Sequence, residues 1–136
     1  MPDRVVLDSS VIAAVFFRED GSERAEKDMW KYGLITIDVA LSEIANVAWK
    51  RVVFFGEPCE ITLRALKRCA DFVLNVCEVI TSHELLETGF GIAVEDKIAV
   101  YDALFVAASE REKASLLTLD RKLYETLRGK RDIKLV

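Results

Sequence analysis

Val5-Val6-Leu7 is an apolar run without polar alternation, and it ends on one carboxylate and two hydroxyls, Asp8-Ser9-Ser10, that lead into a helix-like stretch from Val11 to Phe17. A strand of this kind is buried on both faces, as in a parallel sheet covered by helices. The same unit recurs. Leu34-Ile35-Thr36-Ile37, Val79-Ile80, Leu116-Leu117-Thr118-Leu119 and Ile133-Lys134-Leu135-Val136 read as further short strands, the last at an edge, and helical stretches separate them. Strands alternating with helices give an α/β protein with a mainly parallel sheet of four to five strands and right-handed crossovers. In such sheets chemistry collects outside the carboxyl ends of the strands. Asp8 stands at such an end.

Between the strands, Arg18-Glu19-Asp20-Gly21-Ser22 reads as a turn, with Ser22 capping a helix over 23–32 that Gly33 stops. Asp38 is placed to cap a helix running to about Phe54, with Leu41, Ile44, Ala45, Ala48 and Trp49 as its core face and Glu43 and Asn46 outside it. Phe55-Gly56-Glu57-Pro58 breaks the chain before an amphipathic helix over 59–76 that turns Ile61, Leu66, Cys69, Ala70 and Val73 inward. Thr81 and Glu84 have capping-box spacing and open a helix weakened by Gly89 and Gly91. Val100 to Ala108 is an almost wholly apolar helix with Asp102 on its first turn.

At 136 residues the chain is most simply one domain over 1–136, long enough to bury a real core. With 51% hydrophobic residues, six Gly and two Pro, it is neither disordered nor fibrous. No secretory leader or apolar run of membrane-spanning length is visible, so a cytoplasmic protein with no membrane partner is expected. Cys59, Cys69 and Cys77 lack CxxC spacing, which supports neither a zinc site nor a secreted disulfide framework; they read as small hydrophobes, with one internal disulfide left open. The absence of Gln, with only Asn46 and Asn75, leans towards a heat-stable protein.

Four acids, Asp8, Glu43, Asp102 and Asp120, are brought by this architecture towards one sheet edge, and together they account for the whole formal net charge of -4. Carboxylates placed together repel and lose solvent, which favours their neutral forms unless a divalent cation is bound. An all-oxygen set suits magnesium or manganese, whereas zinc prefers His or Cys. Such a metal activates water against a phosphodiester. Taken singly, Asp8, Asp102 and Asp120 also suit helix caps and Glu43 a solvated helix face; the signal is the set. Ser9, Ser10 and Thr118 read as caps or as hydrogen-bond donors supporting the acids. His83 falls in a capping segment and supports no triad. Trp30, Trp49 and Tyr101 read as core or interface aromatics rather than as base-stacking platforms. The tail from Arg121 carries six basic residues against Glu125 and Asp132, suited to phosphates or to a solvated face. No GxGxxG or P-loop motif is present.

Four segments together, Val6-Leu7-Asp8-Ser9-Ser10-Val11-Ile12, Leu41-Ser42-Glu43-Ile44-Ala45-Asn46-Val47, Val100-Tyr101-Asp102-Ala103-Leu104-Phe105-Val106-Ala107-Ala108 and Leu117-Thr118-Leu119-Asp120-Arg121-Lys122-Leu123, resemble the PIN-domain family and its small VapC-like toxins, in order and over nearly the whole chain. The resemblance implies a three-layer α/β/α sandwich and a Mg2+- or Mn2+-dependent endoribonuclease. It implies that Asp8, Glu43, Asp102 and Asp120 are the metal-binding and catalytic acids, with Ser9 and Thr118 in support. It further implies a homodimer and a cognate small antitoxin. An RNA-processing nuclease without a toxin role, or a non-catalytic RNA-binding module, are the alternatives; phospho-acceptor folds are disfavoured, since Ser10 and Thr81 stand where they would want acids.

Overall fold

A computed structural model describes residues 3–18 and 22–136. In chain order its elements are β1 (Arg4–Leu7), α1 (Ser9–Phe17), α2 (Ser22–Met29), β2 (Gly33–Ile37), α3 (Val39–Val53), α4 (Cys59–Asn75), β3 (Glu78–Ile80), α5 (Ser82–Asp96), α6 (Val100–Glu112), β4 (Ser115–Thr118), α7 (Arg121–Leu127) and β5 (Ile133–Leu135). The strands form one sheet in the order β3-β2-β1-β4-β5, and every pairing is parallel. β1 is central, as its apolar run requires: Val5, Val6 and Leu7 are all buried. The crossovers run outward through β2 to β3, then return over the sheet to β4 and β5, which puts helices on both faces. Accordingly α1 packs on α2, α3 and α4, while α6 packs on α5 and against β1, β2 and β4.

Strand order reverses between β1 and β4, and at that point the backbones part and leave a crevice at the carboxyl edge. Asp8 follows β1 and Asp120 follows β4 by one residue, so both reach that crevice. Leu7 pairs with Leu117, and the Asp8 N–H donates to the Leu117 carbonyl at 3.2 Å, which fixes the register of the two strand ends. From β2, buried Thr36 donates its hydroxyl to the Leu7 carbonyl at 2.8 Å.

Several local expectations are corrected. Residues 19–21 of the expected turn lie outside the described residues; Arg18 ends α1 in the left-handed region, at φ 54°. Gly33 begins β2 rather than stopping a helix. Asp38 holds the N-cap position of α3 but its side chain makes no capping bond there: its Oδ1 accepts from the Ser82 N–H at 3.0 Å and so ties the start of α5 to the end of β2. The buried face of α3 is Ala40, Ile44 and Ala48, while Ala45 and Trp49 are exposed; on α4, Ile61 is exposed and Thr62, Ala65 and Phe72 take the inner face. Trp30 and Tyr101 are exposed as well. Cys59, Cys69 and Cys77 are all free thiols. Among the described residues no helix is long and apolar enough to cross a membrane.

Candidate active site

Asp8 is the most enclosed of the four acids, 6% exposed. Its extended backbone (φ -81°, ψ 171°) makes it the cap of α1, with Oδ1 accepting from the N–H groups of Ser10 at 3.0 Å and Val11 at 3.3 Å. The Ser10 hydroxyl donates to the same oxygen, and the Thr118 hydroxyl donates to Oδ2. Thr118 Oγ1 also accepts from the Asp120 N–H at 3.0 Å, and Ser10 Oγ accepts from the Leu119 N–H at 3.0 Å. The ends of β1 and β4 are thus stitched together through one carboxylate and two hydroxyls. Burial pushes the Asp8 carboxyl up to about 6, against the pull of the Ser10, Thr118 and Val11 donors and with a push from the charge of Asp102.

Glu43 is half-buried on the second turn of α3, where the packing of α1 against α3 lets Ser9 donate to its Oε1 at 3.0 Å. Ser9 therefore supports Glu43, not Asp8. Desolvation raises the Glu43 carboxyl, Ser9 lowers it and the charge of Asp102 raises it. Asp102 rides on the first turn of α6, whose following residues Ala103 to Ser109 are buried in unbroken sequence. It does not cap the helix, Ala99 holding that position, and no hydrogen bond from the described residues reaches its carboxylate. Desolvation raises it, then the charge of Asp120. Asp120 is exposed and caps α7, its Oδ1 accepting from the Leu123 N–H at 3.0 Å.

Asp102 is thereby the common neighbour of the set: its charge acts on Asp8 and Glu43, and Asp120 acts on it. The four do not form a closed cage. Among the described residues no three acids, His or Cys stand close enough to enclose an ion as they are placed, and the carboxylates of Glu43, Asp102 and Asp120 open onto two clefts. One of about 530 Å³ is lined by Ser9, Ser42, Glu43, Asn46 and Tyr101; the other, about 380 Å³, by Lys97, Asp102, Asp120 and Lys122. Asp8 is held by its four donors. The donor set nonetheless fits a hard divalent cation, being all oxygen, with Asp8, Glu43 and Asp102 desolvated and pushed towards protonation, and with Asp102 and one oxygen each of Glu43 and Asp120 accepting no hydrogen bond from the described residues.

Sequence reasoning underrated Ser10, which it left undecided between capping and supporting Asp8. The i, i+2 spacing from a capping Asp was the available signal, but adjacent serines present it ambiguously. His83 is exposed, as expected. Arg131, counted with the basic tail, is withdrawn from solvent by Asp96, Glu95 and Glu110.

The family described as PIN domain matches residues 5–128. Ribonuclease VapC3 of Pyrobaculum aerophilum is 34% identical over 123 residues, spanning 90% of this chain and 93% of the relative. Among solved structures, a toxin-antitoxin complex from Klebsiella pneumoniae superposes with a TM-score of 0.71 at 14% identity over 96% of this chain and 95% of that one. A second Pyrobaculum aerophilum protein gives 0.70 at 23% identity over 97% and 83%. At these identities the two structures bear on the fold.

Proposed function

Because the chain belongs to the PIN-domain family, we propose that it is a divalent-metal-dependent endoribonuclease and the toxin of a toxin-antitoxin pair. The observation that carries the reading is the placement of Asp8 and Asp120 at the joined ends of β1 and β4, linked through Thr118, with Glu43 held by Ser9 next to Asp8 and Asp102 sharing a cleft with Asp120. It is supported by the likeness to a ribonuclease over nine-tenths of the chain. Asp8, Glu43, Asp102 and Asp120 would hold Mg2+ or Mn2+, which when bound supplies an acidified water and positive charge opposite the phosphodiester.

The protein's own residues do the rest. Ser10 and Thr118 fix both oxygens of Asp8 and favour its charged form. Ser9 aims Glu43, leaving its second oxygen to accept a proton or a ligand. The buried floor under Asp8 keeps bulk water from that side.

An antitoxin and a second copy of the chain are the proposed protein partners, in keeping with the toxin-antitoxin assembly of the Klebsiella relative. The exposed apolar side chains Trp49, Phe54 and Phe55 after and on α3, and Leu86, Phe90 and Val94 along α5, support protein partners. Purified protein with Mg2+ or Mn2+ is expected to cut single-stranded RNA internally, and chelation or Asp8→Asn to abolish cutting. RNA left intact by folded, metal-loaded protein would remove the assignment.

A further inference from the structure

The two clefts beside the carboxylates differ in chemistry. The Asp102–Asp120 cleft carries Lys97 and Lys122, neither of which forms an ion pair with the described residues, and it suits the charged backbone of a nucleic acid. No Lys or Arg lines the cleft beside Glu43. It offers instead a flat aromatic and neutral polar groups: Tyr101, 61% exposed and next in sequence to Asp102, with Asn46 and Ser42 on α3. No hydrogen bond from the described residues reaches the side chains of Tyr101, Asn46 or Ser42. Asn46 stands three residues beyond Glu43 and so rises from the same helix face, one turn further from the sheet edge.

An uncharged planar group with edge donors and acceptors is what such a cleft accepts, and on an RNA strand that group is a base. Stacking on an aromatic ring is tolerant of base identity, whereas an amide paired with a base edge discriminates. We propose that the cleft of Tyr101, Asn46 and Ser42 is the base-reading subsite of this enzyme, holding an unstacked nucleotide beside the bond to be cut, with Tyr101 as platform and Asn46 as the specificity-determining residue. The proposal rests on the ribonuclease reading. It adds which nucleotide contact selects the cleavage site.

The test is binding, read without cleavage. Fluorescein-labelled hexamers of U, C and A are titrated with the protein in calcium and followed by anisotropy. Wild type is expected to bind the three unequally. Tyr101→Ala weakens each by about tenfold, with Tyr101→Phe restoring it, and Asn46→Ala brings the three affinities to within about twofold of one another by removing an edge contact. Both positions are exposed, so the variants keep the fold. Equal wild-type affinities, a Tyr101→Ala protein that binds as wild type does, or an Asn46→Ala protein with the wild-type ranking and spread would overturn the proposal. Adding manganese to the same wild-type samples tests cleavage separately: hexamers bound unequally but never cut support the cleft and count against the ribonuclease.

Discussion

Asp8 carries two roles that pull in opposite directions. As the cap of α1 it stabilises the fold, and as a buried carboxylate raised to about 6 it destabilises the metal-free protein at neutral pH. The sign follows from linkage. The folded protein holds the Asp8 proton up to about 6 and the unfolded chain releases it near the ordinary 3.8, so the folded state binds more protons between those values. Stability of the metal-free protein therefore rises as pH falls from 7 towards 4, by up to about 3 kcal/mol from this group. Asp8→Asn keeps an acceptor for the Ser10 and Val11 N–H groups and removes the buried charge. It is expected to abolish cleavage while raising metal-free stability at pH 7 by about 1–3 kcal/mol in urea denaturation, with a flatter pH dependence. Thr118→Val removes a donor to the ionised form, which moves the acidic limb of the cleavage pH profile upward. At this scale the positions of Asp8 and Asp120 just after β1 and β4 were legible because acids at strand ends are chemically distinctive. The division of labour between Ser9 and Ser10 was not, since it depends on how α1 meets α3 and β4.

Elements were legible where composition forces them. The β1 run, the buried α6 and the parallel order of strands all follow from apolar stretches too short or too unbroken to be anything else. The faces of α3 and α4 were less so: Trp49 and Ile61 have the composition of core residues but stand on the surface, and periodicity cannot tell a face packed on the sheet from one left for a partner. The contact of α5 with α6 gives a sharp contrast between two glycines that looked alike in sequence. A Cβ at Gly89 would lie 2.8 Å from Leu104 Cδ2 and 3.5 Å from Leu104 Cα, whereas one at Gly91 meets nothing within 4 Å. Leu104 is 3% exposed and has little room to move. Gly89→Ala is expected to destabilise by about 1–3 kcal/mol through overpacking. Gly91→Ala should stabilise by roughly 0.5–1 kcal/mol through helix propensity. Thermal unfolding of the two variants side by side reads both.

Over the whole molecule, Arg131 ties the segment before β5 to the end of α5 and to α6. Its guanidinium donates to Asp96 at 2.8 and 3.2 Å and to Glu110 at 2.7 Å, and those partners raise it above the ordinary arginine range. Asp96 is buried, so Arg131→Ala leaves a charge without compensation and is expected to cost about 3 kcal/mol in urea denaturation. That tie was invisible in the sequence, where Arg131 looked like one more cation of a basic tail. The candidate site was legible only as far as its edge, since alternating strands and helices put Asp8 and Asp120 at the same end of a parallel sheet. Its open form was not, since nothing in a sequence reports how far four like charges stand apart.

On the proposed function those four carboxylates act as one cation site with Asp102 as their hub. Isothermal titration of Mn2+ into wild type and Asp102→Asn tests it most directly. Saturable binding by wild type, weakened at least about tenfold in Asp102→Asn, is the predicted result; equal binding by the two proteins, or no uptake by wild type at millimolar Mn2+, would contradict it.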